Sequence, residues 1–531
     1  MHLFKQLWLP FLILTVPAVI FSLFLPYFPV DETRYLSVAW EMRLHDSFIV
    51  PLQNALPYSH KPPLLFWLFN LNWLLFGVNE STLRFIPLLF SLLNVSLVFR
   101  IALLLWEDER IARHAAIILS STLSYLLWSS FIMFDVVLTT WVLLALLGLI
   151  SAARWHSIKW WLLVGFSLGG GLLTKGPVVF VYILPAALLA FLWVPGERFC
   201  AEKWYAWLTL SLSLGIAIVL IWLVPAALTG GETYRQAILW GQTVNRVADS
   251  FAHKRPVWWY LPWLPVLLLP WILFTPTWRG SSPLAEDAGR RLVIIWIVAT
   301  VVIFSFVSGK QVHYLIPVLP AFSLLMARNA ASCDNGTDAA RWHLPVAALY
   351  LVLGLVLFSI SFLKLGHALQ NCSVAELRPT AIGLSAIGSV MFVLKQRSLT
   401  TLINYTAVSS ALLCVLIVFG GNSFFNRYDL HAISDAVKVK QDAGYQVMHY
   451  GKYHGQYQFI GRLQQPLVAL ESKEAVADYA AKHDKVALIT YEPESAPREK
   501  TDIFFQQPFR SKQVVLWNKD GISHFINGAG R

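Results

Sequence analysis

Long apolar runs alternate with short polar connections along most of this chain. The runs recur up to about residue 420, and most approach the roughly 20 residues that a helix needs to cross a bilayer. This pattern predicts a polytopic α-helical membrane protein with about thirteen spans. We place the spans near residues 7–29, 82–106, 115–133, 136–153, 160–177, 178–194, 204–228, 258–278, 292–308, 314–330, 344–365, 380–395 and 401–420.

One further apolar stretch, 64–77, has only about 14 residues, which is too short to span comfortably. We therefore predict an interfacial helix there. With the N-terminus in the cytoplasm, every predicted cytoplasmic loop is then basic, as the positive-inside rule expects. These loops contain Arg110, Arg113, Arg154, Lys159, Arg198, Lys203, Arg279, Arg290, Arg291, Arg328, Arg341, Lys395 and Arg397. The same topology places the C-terminal tail outside.

The tail, 421–531, differs in pattern from the rest of the chain. "AISDAVKVKQDAG" and "SKEAVADYAAKHD" have helical periodicity, whereas "YQVMHYG", "KVALITYE" and "KQVVLWN" are typical of strands. We therefore predict two domains. The first is a membrane domain over 1–420, with an external first loop at 30–81, and the second is a small soluble α/β domain over 421–531.

Composition agrees with a membrane protein. Hydrophobic residues make up 57% of the 531 residues, charged residues only 13%, and the mean hydropathy is +0.58. The net charge of +11 follows from the basic cytoplasmic loops and does not indicate nucleic-acid binding. Cys200, Cys333, Cys372 and Cys414 have neither pairing nor metal-ligand spacing, so we expect no disulfide framework. The first apolar run has no small-residue cleavage site, which favours a true first span.

The predicted topology gathers charged side chains at the external ends of the spans. They come from "PVDETRYLSVAWEM", "YSHKPP", "FIMFDVVLTT", "LLTKGPV", "NRVADSFAHKRPVWWY" and "SGKQVHYLIP". The candidate residues in these stretches are Asp31, Glu32, Arg34, His60, Lys61, Asp135, Lys175, Arg246, His253, Lys310, His313 and Tyr314. Ionisable residues at a membrane edge are costly and usually mark function.

This mixture of acids and bases suits a site for an anionic phosphate. Lysine and arginine hold phosphate oxygens and stabilise the charge on a departing phosphate. A carboxylate can take a proton from an attacking hydroxyl or bind a divalent metal. Pro62 and Pro63 stiffen the chain after Lys61, so we expect His60 and Lys61 to be held at headgroup depth, facing a membrane-borne phosphate.

Each candidate also has a simpler interpretation. Loop acids and arginines are often only solvated, a lysine at a span end can extend its ammonium to the interface, and lone histidines are more often structural than ligands. These alternatives stay open for Asp31, Glu32, Lys175, Arg246, His253 and His313. The simpler interpretation is weakest for Asp135, because a carboxylate in a turn with almost no loop needs a partner.

Six motifs occur along the chain in a fixed order. They are "DETRY", "HKPPLLFWL", "FDVVLT", "LLTKGP", "HKRPVWWY" and "GKQVHYLIPVLP". On these motifs the chain resembles the bacterial polyprenyl-phosphate-dependent glycosyltransferases, a superfamily that includes the protein O-mannosyltransferases and the lipid A aminoarabinose transferases. The resemblance covers roughly residues 1–330 well, and the later spans and the tail fit the aminoarabinose-transferase layout in outline.

The resemblance implies a GT-C fold in the bacterial inner membrane and a periplasmic active site. A polyprenyl-phosphate-linked sugar, such as an undecaprenyl phosphate derivative, is the implied donor. The implied acceptor is lipid A, lipopolysaccharide, another envelope glycan or a protein. Transfer would release the polyprenyl phosphate and proceed with inversion, by direct displacement at the anomeric carbon.

The resemblance also implies roles for individual residues. Asp31 matches the loop carboxylate that serves as base or positions the acceptor, Glu32 follows it in the motif, and Asp135 matches a second acidic residue of the cavity. Residues that match positions near the donor phosphate or lining the same cavity are Lys61, Arg246, Lys310 and Tyr314. We expect His60, Arg34 and His253 to bind substrate.

The chain departs from the aminoarabinose transferases at two positions. His60 stands where they usually carry a glutamate before the lysine, and Gln242 stands where they tend to carry an acidic residue. Fewer carboxylates mean fewer ligands for a cationic amino-sugar or a metal. A neutral hexose or another pentose is therefore at least as compatible with the sequence. The sequence identifies no particular cofactor, and a requirement for a divalent metal ion stays open.

Two other functions are compatible with the same features. A transporter or flippase of a lipid-linked sugar would usually show inverted repeats and ionisable residues near mid-membrane, whereas here the charges cluster at one face. A glycan ligase that uses a lipid-linked donor would share the same chemistry with a wider cavity.

Overall fold

The computed structural model describes residues 2–241, 255–279, 283–333, 341–362, 376–394, 398–496 and 499–527. Its first part, up to residue 241, is helical except for a short hairpin of β1 (Leu52–Gln53) and β2 (Leu56–Pro57). The helices of this part are α1 His2–Phe24, α2 Asp31–Leu44, α3 Leu64–Phe76, α4 Phe85–Trp106, α5 Glu109–Ser121, α6 Leu123–Trp128, α7 Phe134–Trp155, α8 Ile158–Lys175, α9 Val179–Leu188, α10 Ala201–Thr229 and α11 Glu232–Gln236.

The described helices continue to residue 426. They are α12 Trp263–Leu267, α13 Ala288–Phe306, α14 Leu319–Ala331, α15 Leu344–Ile360, α16 Leu377–Val393, α17 Leu399–Gly420 and α18 Asn422–Asn426. Short 3₁₀ turns lie at Gly176–Val178, Ala190–Leu192, Gly196–Arg198, Val257–Tyr260, Trp271–Leu273, Thr275–Thr277 and Val312–Val318, and a π-helical turn at Ala237–Gly241.

Eight helical segments in the described part are long and apolar enough to cross a membrane. They are Lys5–Phe24, Phe85–Trp106, Phe134–Trp155, Ile158–Leu188, Ala201–Thr229, Ala288–Phe306, Val312–Ala331 and Leu399–Gly420. The helices α3, α15 and α16 are apolar but shorter. The chain is therefore a multi-pass helical membrane protein, as the sequence predicted, and α3 has nearly the bounds predicted for the interfacial helix.

Several of the predicted spans are not single α-helices, and two of them are interrupted along their length. The span predicted at 115–133 is divided into α5 and α6, which meet at Thr122 in an extended conformation. The span predicted at 258–278 consists of α12 and short 3₁₀ turns, because Pro262, Pro265, Pro270 and Pro276 interrupt helical hydrogen bonding. The two interrupted segments form a backbone hydrogen bond with each other, in which the Leu123 N–H donates to the Leu269 carbonyl over 2.9 Å.

The helices α7 and α8 bring two predicted site residues to one end of the bundle. Helix α7 packs against both α4 and α8, and its N-terminal end carries Asp135. Helix α8 ends at Lys175, and the chain reverses at Gly176, whose φ of +74° suits glycine. After this reversal α9 packs closely on α8, since a Cβ at Gly171 would lie 2.4 Å from Cγ2 of Val179.

The C-terminal part is a small sheet covered by helices, as predicted. Its elements are α19 His431–Asp442, β3 Gln446–Tyr450, β4 Val468–Leu470, α20 Lys473–Lys482, β5 Val486–Glu492, β6 Ile503–Phe509, β7 Lys512–Trp517 and α21 Lys519–Asn527. The strand order is β4-β3-β5-β7-β6, with β3 parallel to β4 and β5, and β7 antiparallel to β5 and β6. Alternate residues of the strands enter two apolar clusters, so both faces of the sheet are covered.

The C-terminal part lies against the first loop of the membrane part. Trp40 donates its indole N–H to the Leu463 carbonyl over 2.9 Å. The Asn54 side chain makes two hydrogen bonds to the Leu467 backbone, of 2.9 and 2.8 Å. Phe459 stacks on Trp73 with ring centroids 5.0 Å apart. These contacts fix the sheet next to α2 and α3, the two helices that flank the candidate site.

Candidate active site

Asp31 is the first residue of α2, and its side chain is half exposed. A carboxylate in the first turn of a helix is favoured by the helix dipole. The guanidinium of Arg34, one turn further along, forms an ion pair with Oδ1 of Asp31. The Tyr35 hydroxyl lies 3.5 Å from the same oxygen. The helix therefore orients a carboxylate that an incoming substrate can still reach.

The neighbouring Glu32 is buried, with 2% of its surface exposed. Its Oε2 accepts a hydrogen bond from the Phe28 N–H, and its Oε1 accepts one from the Ile132 N–H, both over 2.8 Å. Nη2 of Arg84 lies 3.5 Å from Oε2. Burial raises the pKa of the Glu32 carboxyl, and Arg84 opposes this shift. Both carboxylate oxygens thus accept hydrogen bonds from backbone N–H groups. A positioning role fits these contacts better than a catalytic one.

Asp135 and Lys175 form a buried ion pair at the same end of the bundle. Nζ of Lys175 donates to Oδ1 of Asp135 over 2.5 Å, and the two side chains are 6% and 1% exposed. The ammonium also lies 4.9 Å from the ring centroid of Tyr314, a cation–π distance. Lys175 is therefore the partner that the sequence predicted for Asp135. The ring of Tyr314 lies against the ammonium of this pair.

Lys61 lies beside this ion pair. Its Nζ is 5.7 Å from the ring centroid of Phe134, the residue that precedes Asp135. Lys61 and His313 are both within electrostatic range of Asp135. The ring of Phe134 also packs edge-on against Tyr35, with centroids 4.8 Å apart. Phe134 therefore connects the helix that carries Asp31 to the cluster of Lys61 and Asp135.

Lys310 is buried and makes structural contacts. Its Nζ donates to the carbonyls of Val307 and Arg255, over 2.6 and 3.0 Å. It thereby covers the carboxyl end of α13, where unsatisfied carbonyls favour a cation. In the 3₁₀ turn that follows, the Tyr314 carbonyl accepts a hydrogen bond from the Tyr182 hydroxyl over 2.8 Å. The donor-phosphate role of Lys310 stays a prediction.

Three predicted residues remain to be placed. His60 is exposed, and its ring stacks on Tyr58 with centroids 5.2 Å apart. Arg246 and His253 lie outside the residues that the structure describes. Within the described residues no group of three or more His, Cys, Asp or Glu side chains is placed to hold a metal ion. Asp31 and Asp135 instead form ion pairs with Arg34 and Lys175.

Sequence reasoning missed the role of Arg84. Its guanidinium is buried and donates to the carbonyls of Phe21, Leu25 and Pro26, over 2.7, 2.8 and 2.6 Å. It therefore holds the end of α1 and the Glu32 carboxylate together. Its signal was an arginine next to an apolar run, as costly at a membrane edge as the residues that were singled out.

The helical bundle, the loop helices at one end and the covering sheet together define a GT-C fold, as predicted. A crystal structure of ArnT from Cupriavidus metallidurans bound to undecaprenyl phosphate has this fold, with a TM-score of 0.71 and 18% identity, over 96% of this chain and 97% of that one. The apo structure of the same protein gives a TM-score of 0.72 over 95% and 97%, also at 18% identity.

Sequence comparison leads to the same group of proteins. Residues 60–222 match the family described as dolichyl-phosphate-mannose-protein mannosyltransferase. Two relatives, from Erwinia tasmaniensis and Pectobacterium carotovorum, are each named undecaprenyl phosphate-alpha-4-amino-4-deoxy-L-arabinose arabinosyl transferase. They are 29% and 31% identical to this chain over the aligned residues. Each alignment covers 56% of this chain and 54% of the relative's own length. The chain thus matches about half the length of these relatives, and the predicted resemblance is confirmed.

Proposed function

We propose that this chain is an inner-membrane glycosyltransferase. It transfers a sugar from a polyprenyl-phosphate-linked donor to an envelope acceptor on the periplasmic side. The observation that carries the proposal is the grouping of Lys61, Asp135, Lys175 and Tyr314 at the end of the helical bundle where the half-exposed Asp31 also lies. The names of the relatives and the ligand of the Cupriavidus metallidurans structure support a polyprenyl phosphate donor.

Lys61 binds the donor phosphate and stabilises the charge that develops on it. It lies at the edge of the cluster, before the two prolines that lead into the apolar α3, where a lipid-linked phosphate would meet it. Lys175 is already paired with Asp135, so its charge is largely compensated. Negative charge grows on the phosphate as the bond to the sugar breaks. A cation at the phosphate therefore stabilises the transition state more than the bound substrate, which accelerates the reaction. Arg246 is proposed as a second phosphate ligand.

Asp31 receives or orients the acceptor. The acceptor oxygen attacks the anomeric carbon, the bond from that carbon to the phosphate oxygen breaks, and its electron pair stays on the departing polyprenyl phosphate. When the acceptor is a hydroxyl, Asp31 takes its proton. When the acceptor is a phosphate, no proton has to be removed, and Asp31 with Arg34 only positions it. A single displacement of this kind inverts the anomeric configuration.

The remaining residues support this geometry. The Asp135–Lys175 ion pair fixes the ends of α7 and α8 at the site. The Glu32–Arg84 ion pair fixes the start of α2, which carries Asp31. Lys310 and Tyr314 line the same end of the bundle, and His60 and His253 are proposed as substrate contacts. The steps above use side chains alone.

We further propose the orientation and domain division that the basic loops indicate. The N-terminus lies in the cytoplasm, and the membrane domain comprises residues 1–420. The soluble domain, 421–531, lies in the periplasm and covers the first loop. Two ion pairs at the other end of the bundle, Arg154 with Glu107 and Arg328 with Asp287, then belong to the cytoplasmic face.

A transfer assay in bacterial membranes tests the proposal. Radiolabelled polyprenyl-phosphate sugars are supplied one at a time to membranes with and without this chain, and label is measured in lipid, lipopolysaccharide and protein. The proposal predicts that one acceptor gains label only when the chain is present. Label that stays on the donor but moves across the membrane would show a flippase instead. Label that arrives as a preassembled glycan would show a ligase.

A further inference from the structure

A short connection joins α1 to α2 and leads directly into Asp31. We call residues 25–30 the α1–α2 connection. Arg84, directly before α4, holds its first half, since Nη1 and Nη2 donate to the carbonyls of Leu25 and Pro26 over 2.8 and 2.6 Å. The orientation of the Asp31 carboxylate therefore depends on what holds the second half.

The second half of the connection is held by the start of α2 and by the C-terminal part. The Glu32 N–H donates to the Phe28 carbonyl over 3.2 Å, and the Phe28 N–H donates to Oε2 of Glu32 over 2.8 Å. The next carbonyl, that of Pro29, accepts a hydrogen bond from Nη2 of Arg510 over 2.7 Å. Arg510 lies in the two-residue turn between β6 and β7. A side chain of the C-terminal part therefore holds the chain two residues before Asp31.

Aromatic rings from both parts of the molecule pack at the same place. The ring of Phe28 packs edge-on against Phe131, in the segment between α6 and α7, with centroids 5.5 Å apart. It also packs against Phe425 and Tyr428, which follow α17, with centroids 5.9 and 5.4 Å apart. Cζ of Arg510 lies 5.7 Å from the ring centroid of Tyr428, a cation–π distance. The α1–α2 connection is thus a point where the membrane part and the C-terminal part meet.

The backbone of Arg510 has an unusual conformation for an arginine. Its φ is +55°, in the left-handed region that favours glycine. The Arg510 N–H donates to the Arg427 carbonyl over 3.0 Å, and Nη1 of Arg427 donates to the Arg510 carbonyl over 2.7 Å. Arg427 is itself paired with Glu494 over 3.1 Å. Strained residues that their surroundings hold in place often serve a function, and here the side chain reaches Pro29.

We propose that Arg510 is a positioning residue, through which the C-terminal part holds Asp31 in its reactive orientation. The inference rests on the proposed glycosyltransferase function and gives the soluble part a task in that reaction. Arg510 acts on Asp31 through the Pro29 carbonyl and the first turn of α2. A carboxylate that takes a proton must lie within hydrogen-bond reach of the attacking oxygen, so a small displacement of α2 lowers the rate steeply.

Hydrogen–deuterium exchange of the purified full chain in detergent tests the inference without requiring turnover. Arg510→Gly removes the side chain at a φ that suits glycine, so the turn itself should keep its shape. The peptide that contains residues 28–36 should exchange about tenfold faster than in wild type, because a hydrogen bond from a charged donor is lost. Exchange in the hairpin of β6 and β7 should stay unchanged.

Transfer kinetics test the consequence for the reaction. They use the radiolabelled polyprenyl-phosphate sugar and the acceptor that the membrane assay identifies. Arg510→Gly should lower kcat about tenfold or more, because Asp31 is no longer held in place. The KM for the donor should stay unchanged, since Lys61 lies on a different element. Arg510→Lys, which keeps the positive charge, should recover part of kcat.

Two control variants separate positioning from docking in general. Lys512→Ala changes an exposed lysine at the start of β7 and should alter neither exchange nor kcat. Asn54→Gly removes both side-chain hydrogen bonds to the Leu467 backbone, which dock the C-terminal part elsewhere, at a φ of +54° that glycine accepts. It should lower the thermal unfolding midpoint but keep kcat per folded molecule.

Three outcomes would overturn the inference. They are unchanged exchange of residues 28–36 in Arg510→Gly, unchanged kcat in that variant, and an equal loss of kcat in Arg510→Gly and Asn54→Gly. Faster exchange in Arg510→Gly without any transfer of label by wild type would instead contradict the proposed glycosyltransferase function. The two failures are therefore distinguishable.

Discussion

Nζ of Lys175 and Oδ1 of Asp135 lie 2.5 Å apart at the point where α8 ends and α7 begins. Both side chains are almost fully buried, and the ring of Tyr314 closes over the ammonium. A buried ion pair stabilises a fold only when its geometry compensates the loss of solvation. Here the pair fixes the N-terminal end of α7 against the C-terminal end of α8, at the end of the bundle where Asp31 also lies.

Substitution of Lys175 by alanine should destabilise the protein strongly. It leaves the Asp135 carboxylate buried without its cation, a change that typically costs about 3–5 kcal/mol. We expect a lower thermal unfolding midpoint in detergent and less protein in the membrane. Lys482→Ala, which breaks an exposed pair with Asp478, should leave the midpoint unchanged.

The double variant Asp135→Asn with Lys175→Met separates the fold from the function of this pair. It removes both charges at similar volume, so it should recover much of the lost stability. Transfer activity should stay low, because the electrostatic environment of the donor phosphate has changed. Full activity in the double variant would show that the pair serves the fold alone.

Lys61→Ala should lower kcat about 100-fold or more, because it removes a positive charge that stabilises the leaving phosphate. The adjacent His60→Ala is the comparison, since His60 is exposed, stacks on Tyr58 and is proposed to contact substrate but not to stabilise the leaving phosphate. It should have a much smaller effect on kcat. Steady-state kinetics of both variants measure the difference. Equal effects of the two substitutions would contradict the phosphate role of Lys61.

Glu32→Gln should act mainly on stability. Each oxygen of Glu32 accepts a backbone N–H, so the amide of glutamine would place an NH₂ group against one of these donors. We expect a loss of about 1–3 kcal/mol, measured as a lower unfolding midpoint, with kcat per folded molecule largely kept. A stable variant with collapsed kcat would instead establish Glu32 as catalytic.

The contact between the C-terminal part and the first loop should weaken at high pH. His431 lies between Asp429 and Glu80, at 2.5 and 2.8 Å. These hydrogen bonds raise the pKa of His431 from 6.5 to about 10. A raised pKa in the folded state means that the stabilisation is complete below pH 6.5 and is lost as pH rises through about 10.

The carboxylates of this contact act in the opposite direction. His431 lowers the pKa of Glu80 and of Asp429 despite their burial, and Arg462 lowers that of Glu80 further. Their contribution is therefore lost as pH falls through these lowered values. The unfolding midpoint of wild type should exceed that of His431→Gln near pH 6.5, and the difference should shrink toward pH 10. A constant difference would contradict this account.

Much of the membrane part was predictable because hydrophobicity over a fixed length determines a span. The bounds of helix α3 were predicted almost to the residue, since they are the ends of one uninterrupted apolar run, and its interfacial position stays a prediction. The interrupted helices were not predicted. The run at 258–278 is largely apolar, but its prolines prevent a continuous helix. Its carbonyls at Leu267 and Leu269 accept hydrogen bonds from α6 instead.

The site was predictable as a set of residues but not as a set of contacts. The sequence indicated that Asp135 needs a partner, yet Lys175 is 40 residues away and meets it only because α7 and α8 are antiparallel neighbours. Lys310 shows the converse. The family resemblance implied that Lys310 lies near the donor phosphate, but its ammonium donates to the carbonyls of Val307 and Arg255. The contact of Gly455 with Ser37 on α2 gave no signal, because it depends on the docking of a separate sheet.

The most direct test of the account is single-turnover sugar transfer by purified wild type and Asp31→Asn, with the donor and acceptor that the membrane assay identifies. Asp46→Asn is the matched control, since Asp46 is an exposed aspartate in the same loop. We predict that Asp31→Asn reaches the membrane in normal amount and binds donor but fails to transfer the sugar, while Asp46→Asn behaves as wild type. Transfer by Asp31→Asn at the wild-type rate would contradict the account.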